Sequence, residues 1–164
     1  MRAYWQTLVR ALISLGDYFP LKVTQKQAIQ VHTDLGELPN VLSWFDRFQY
    51  PLVPYSTWLQ CQLALAEGFT NAVRHAHRSQ PSETLIDIEV CVLDHAVEIR
   101  IWDYGPGFDL DQMVNQMPLE VDQDSESGRG LRLMKRLADR LSYKRGDDQR
   151  NCLLVVKYYS ETDD

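Results

Sequence analysis

No CxxC pair occurs in this sequence of 164 residues; its three cysteines, Cys61, Cys91 and Cys152, lie far apart. That spacing argues against a zinc site or a disulfide framework and suits a reducing compartment, so a cytoplasmic protein is expected. No run approaches the roughly 18 consecutive apolar residues of a membrane span. A positive balance is missing too: 17 Lys and Arg face 23 Asp and Glu, a formal charge of −6. An overall basic footprint for nucleic acid is therefore absent. Internal repeats are absent. The N-terminus, "MRAYWQTLVRALISLG", is not read as a signal peptide, because Gln6, Thr7 and Arg10 interrupt its apolar content and no small-residue cleavage site follows.

What is present is ordinary for a globular chain, 45% apolar and 24% charged residues. The length fits one domain of roughly 100–200 residues. A domain of about this size hides roughly 70% of its unfolded surface.

Periodicity divides the chain. Tyr4, Trp5, Leu8, Val9, Leu12 and Leu15 recur at helical spacing, predicting a short amphipathic helix over 3–15. That helix either packs on the domain or meets a partner or a membrane surface. Residues 1–25 are expected to be a helical extension and 26–160 the main domain. A strand is predicted over 27–33. A helix follows from Asp34 or Gly36 to about Phe48, with Val41, Leu42, Phe45 and Phe48 on one face. The two prolines of "QYPLVPYS" mark a loop. Ser56 is the expected N-cap of a long helix from Thr57 to Arg78. "TLIDIEVCVL" and "AVEIRIWD" alternate and are joined by "DHA", so they predict a hairpin. Residues 105–128 read as a long loop, which at that length is usually functional or disordered. A helix over Gly130–Leu141 and a second hairpin, "LSYKR" to "NCLLVVKYYS", complete the chain. Helices followed by hairpins predict an α+β fold: a two-layer sandwich of a mixed, mostly antiparallel sheet with helices on one face.

Three stretches carry chemistry. In "EGFTNAVRHAH", Glu67, Asn71, Arg74 and His75 gather on one side of a helix, and Leu65, Phe69, Ala72, Val73 and Ala76 on the other. Taken alone, the polar side reads equally as a solvated face. In "WDYGPGFD", Asp103 ends a strand, where a carboxylate can accept from a ligand amine, and Gly105 and Gly107 permit a sharp turn or a close backbone approach. A strand-ending turn is the plain alternative. In "SGRGLRLMKRLAD", Gly128 and Gly130 open a helix whose first turns carry Arg129 and Arg132. Free N–H groups at such a helix start favour phosphate, and arginines add charge-assisted hydrogen bonds.

In this order, the stretches resemble the boxes of the GHKL superfamily of ATP-binding domains: "EGFTNAVRHAH" the asparagine box, "DYGPGF" the first glycine box and "GRGL" the second. The likeness spans roughly residues 27–159. Within the superfamily, ExxxNAVxHA in a small domain is most similar to the anti-sigma-factor serine/threonine protein kinases. The resemblance implies ATP and Mg²⁺ as cofactors. It makes Asn71 the Mg²⁺ ligand, Asp103 the acceptor for the adenine amine and Glu67 the general base. Gly105 and Gly107 would lie near the base, and Gly128, Gly130 and Leu131 would wrap the phosphates; Arg129, from its place beside the glycines, is expected to help neutralise them. His75 matches a family histidine and is read as a hydrogen-bonding residue; Arg74 and His77 are read as surface residues. The implied partners are a STAS-type antagonist phosphorylated on serine, a sigma factor or other effector, and a second copy of the chain. The stretch from Asp109 to Ser127 would be the ATP lid, an acidic one. Alternatives are an inactive nucleotide-gated binding module and a detached histidine-kinase ATP-binding domain.

Overall fold

The structure, a computed structural model, describes residues 22–47, 51–116 and 128–160. The helix expected over 3–15 and most of the expected lid lie outside these residues. One five-stranded sheet runs in the order β1-β2-β3-β5-β4. Here β1 is Val23–His32, β2 Leu85–Leu93, β3 Ala96–Asp103, β4 Arg140–Arg145 and β5 Asn151–Tyr158. All four pairings are antiparallel, so the sheet expected to be mixed is antiparallel throughout the described residues. Hairpins supply two of the pairings, β2 with β3 and β4 with β5; β1 meets β2 across an intervening helical segment, and the return of β5 onto β3 supplies the fourth.

Four α-helices accompany the sheet: α1 Leu38–Asp46, α2 Tyr55–Asn71, α3 Leu110–Gln116 and α4 Arg129–Leu137. The period-2 pattern of the strands places them. Ile86, Ile88, Val90 and Val92 of β2 are buried, as are Ile99 and Ile101 of β3 and Leu153 and Val155 of β5. These side chains form one core with Val41 and Phe45 of α1, Leu65 and Phe69 of α2, Leu110 of α3, and Leu131 and Met134 of α4. The helices thus cover one face, and the α+β sandwich is as expected. On the other face the alternate residues pair by charge, with Lys26–Glu89 at 2.7 Å, Arg100–Glu98 at 2.6 Å and Arg150–Asp87 at 2.7 Å. Such solvent-screened pairs contribute little to stability.

One row of side chains crosses the whole sheet: Ile29, Ile88, Ile101, Leu153 and Tyr143 are successive register partners. Helix α2 comes closest to this row at Gly68. A Cβ there would lie 2.6 Å from Ile101 Cδ1 and 3.0 Å from Leu153 Cδ2. Gly68→Ala is therefore expected to destabilise by about 1–3 kcal/mol through overpacking, although alanine is the better helix former by about 1 kcal/mol. The urea midpoint should fall at constant m-value. A midpoint at or above wild type would show that the helix–sheet spacing is not set there.

Several boundaries differ from those expected. Strand β1 starts four residues earlier, at Val23, and Thr33 falls outside it. Ser56 lies inside α2 rather than capping it; the N-cap is Pro54, whose carbonyl accepts from Trp58 N–H at 3.0 Å. The loop read over 105–128 contains α3, capped by Asp109, whose carboxylate accepts from Gln112 N–H at 2.9 Å. Helix α4 stops at Leu137 instead of Leu141, because Ala138 is extended and Asp139 N–H bonds Val156 O at 2.9 Å, turning the chain into β4.

Candidate nucleotide site

Helix α2 presents Glu67 and Asn71 one turn apart, both half-buried. Helix α4 packs over them. Its Gly130 sits where any Cβ would overlap the Glu67 carboxylate and come within 3.6 Å of Asn71 Oδ1. Only a residue without a side chain lets the start of α4 come this near. The residue before α4, Gly128, has φ 95°, a left-handed backbone that glycine adopts without a steric penalty. As the N-cap of α4, Gly128 has no side chain to bond the first N–H groups, and these lie beside Glu67 and Asn71. Arg129 is exposed there. Leu131 is buried in the core.

The second part of the site lies at the end of β3. Asp103 is 3% exposed and accepts from three donors. Gly105 N–H reaches Oδ1 at 2.8 Å, Asn151 Nδ2 reaches Oδ1 at 2.9 Å, and the Tyr143 hydroxyl donates to Oδ2 at 2.8 Å. Burial first, and then the Asp103 carboxylate, push the Tyr143 hydroxyl far above its ordinary range, so it remains protonated and donates. Phe108 stacks on the Tyr143 ring at 4.4 Å between centroids, leaving an aromatic surface beside the carboxylate. Gly107 has φ 78° and lies against Asn151 Oδ1. A carboxylate keeps about four acceptor sites, so Oδ2 retains capacity for a ligand amine.

The two parts are joined by a change of helix type. After Asn71, residues Ala72–Ala76 form a π-helical turn, closed by His77 N–H on Ala72 O at 2.8 Å. The α-helix expected as far as Arg78 therefore ends early. The buried stripe of α2 passes through Leu65, Gly68, Phe69 and Ala72; the wider turn then makes the residue five positions on, His77, the next to point inward. His77, expected at the surface, is 2% exposed. Gly105 packs against the same turn, where a Cβ would lie 2.7 Å from Ala76 O. Arg74 and His75 are exposed, as their helix face implied for Arg74.

Asn151, Tyr143 and His77 are the contributors that pattern reading missed. Asn151 left a signal. Alternation with the apolar, inward Leu153 and Val155 puts Asn151 on the core side, and a buried amide needs partners. Among the described residues no cluster of three or more His, Cys, Asp or Glu is arranged to hold a metal. A single amide such as Asn71 beside a glycine-opened helix start still fits Mg²⁺, which commonly takes few protein ligands and completes its shell with phosphate and water.

A sheet covered on one face by helices thus sets a glycine-opened helix start against a carboxylate and an amide. The family model "Histidine kinase-like ATPase domain" matches residues 31–157, and the chain belongs to that family. It is similar to the protein named serine-protein kinase RsbW of Listeria monocytogenes serotype 4a (strain HCC23), 31% identical over 107 residues that cover 61% of this chain and 65% of that protein. The RsbW of Bacillus subtilis (strain 168) is 35% identical over 83 residues, 48% of this chain and 51% of that protein. The chain thus spans just under two thirds of the length of the curated Listeria relatives it matches. No helix among the described residues is long and apolar enough to cross a membrane.

Proposed function

We propose that this chain binds Mg-ATP and transfers the γ-phosphoryl group to a serine hydroxyl of a small STAS-type antagonist, while also binding a sigma factor or other effector. The observation that carries this reading is Gly130, which brings the start of α4 against Glu67 and Asn71. This closeness supports a phosphate-binding role for the helix start, with Glu67 as base and Asn71 as metal ligand. The likeness to proteins named as serine-protein kinases supports the choice of acceptor.

In this mechanism Asp103 accepts from the adenine amino group, with Gly105 and Gly107 keeping the backbone close to the base. The N–H groups of Gly130 and Leu131 and the Arg129 guanidinium face the phosphates. Asn71 holds Mg²⁺, which when bound neutralises phosphate charge and orients the transferred group. Glu67 takes the proton of the serine hydroxyl as its oxygen forms a bond to the γ-phosphorus and the bond to ADP breaks. Most of the rate comes from positioning and charge, with the base adding about 10²–10⁴-fold.

The second reading is a nucleotide-gated binding module without transfer; Glu67, held at the start of α4, favours the kinase. The two are separated by incubating the full chain with γ-labelled ATP and STAS-domain proteins of the same genome. Label on a serine of one of them is the expected result. ATP-dependent complex formation without label would replace the kinase by the module.

A further inference from the structure

We infer that His77 is a positioning residue for nucleotide, holding the Tyr104–Gly105 backbone that carries the Asp103 end of the site. The inference rests on the nucleotide-binding reading above. The geometry fixes one tautomer. Tyr104 N–H points at His77 Nε2 at 2.8 Å, so Nε2 must accept. The proton therefore sits on Nδ1 and is donated to Thr33 Oγ1 at 2.7 Å, and the Thr33 hydroxyl in turn donates to Thr84 O at 2.7 Å. A continuous donor chain runs from the glycine loop through the imidazole to the exit of β1 and the entry to β2. Only a neutral imidazole can serve in it, because a protonated ring presents N–H at both ends and leaves Tyr104 N–H facing another donor.

Two further observations support a role beyond filling space. The π-helical turn exists at this point and puts His77, in place of an apolar residue, under the loop. Gly105, the next residue of the loop, lies so near Ala76 that backbone contacts and the His77 bond clamp the same two residues. Gly105 N–H in turn bonds Asp103 Oδ1. Whatever releases Tyr104 therefore releases a donor that orients the carboxylate.

Burial is the larger influence on His77 and holds its pKa below the ordinary 6.5, while the Asp103 carboxylate at the end of β3 acts weakly in the other direction. Thr33 and Thr84 contribute neutral groups. Arg74, His75 and Arg78, on its own segment, are exposed. With a lowered folded pKa, the unfolded chain binds the proton more readily. The stability contributed by neutral His77 is thus present above about pH 6.5 and is lost as pH falls through the folded pKa.

The test measures Mg-ATP affinity of the full chain from pH 5.5 to 8 for wild type, His77→Gln and His77→Phe, with melting temperature recorded alongside. Glutamine keeps an acceptor that does not titrate, and phenylalanine removes it. The readout is the ratio of variant to wild-type affinity, which cancels the titration of ATP itself. Relative to His77→Gln, wild type should weaken as pH falls through the folded pKa of His77, which burial holds below 6.5. His77→Phe should bind about tenfold more weakly than wild type at pH 8, as expected for one lost hydrogen bond. If His77→Phe does not fold, the glutamine ratio decides. A ratio for His77→Gln that stays flat as the range is extended downward to the acid unfolding of the wild type overturns the inference and leaves the nucleotide reading intact. Failure of wild type to bind Mg-ATP at every pH overturns both.

Discussion

Asp103→Asn is expected to abolish the rise in melting temperature that Mg-ATP gives the wild-type protein. The carboxylate is buried, and Gly105 N–H, Asn151 Nδ2 and the Tyr143 hydroxyl all donate to it. An amide is nearly isosteric but acceptor on one side only. Its N–H₂ must face one of these donors or the adenine amine, and a donor opposed by a donor costs about 1–3 kcal/mol. Sites built to hydrogen-bond a ligand group discriminate strongly when a partner is wrong, so affinity should fall on the order of 10²-fold or more. Ligand at 100 times the wild-type Kd stabilises by about 2.7 kcal/mol; a 10²-fold weaker variant keeps only about 0.4 kcal/mol at that concentration. The unliganded variant should also melt lower, because the same network joins β3, β4 and β5. An undiminished ligand-induced shift in the variant would remove Asp103 from adenine recognition.

Glu67→Gln should separate binding from chemistry. The side chain keeps its length and its place against Gly130, so the start of α4 is undisturbed and Mg-ATP affinity should stay within about threefold of wild type. The amide cannot take a proton at neutral pH, and transfer to a serine acceptor should slow by about 10²–10⁴-fold. Single-turnover transfer from labelled ATP, measured at saturating nucleotide, reads the chemical step alone. Equal rates for the two proteins would exclude Glu67 as the base, and the binding-module reading would then gain ground.

Much of the fold is legible in local pattern because strands and amphipathic helices repeat with fixed periods. Ile86, Ile88, Val90 and Val92 alternate as β2 requires, and they are the residues that line the core. Glu67 and Asn71 share a helix face, and the structure keeps them on it. Helix α3 was hidden by its short length and by a Gly- and Asp-rich neighbourhood, although Asp109 followed three residues later by Gln112 is a capping signature. The π-helical turn had no comparable mark. Its five residues, Ala72–Ala76, suit an α-helix equally well by propensity, so periodicity at 3.6 residues per turn carried His77 to the wrong face.

Composition, alternation and the order of the glycine-bearing stretches by themselves determine that this is an α+β domain with a polar helix face and two glycine-rich turns beside it. They do so because each of these features is a property of neighbours in the chain. The partnerships within the site were decided only by the tertiary structure. Tyr143 and Asn151 meet Asp103 across 40 and 48 residues, and His77 meets Thr33 across 44. Those meetings depend on the register of β5 between β3 and β4 and on one widened helical turn, neither of which leaves a local trace. Gly130 shows the same division: its sequence says that a helix starts there, and the packing of α4 on α2 makes it the point where that start touches Glu67 and Asn71.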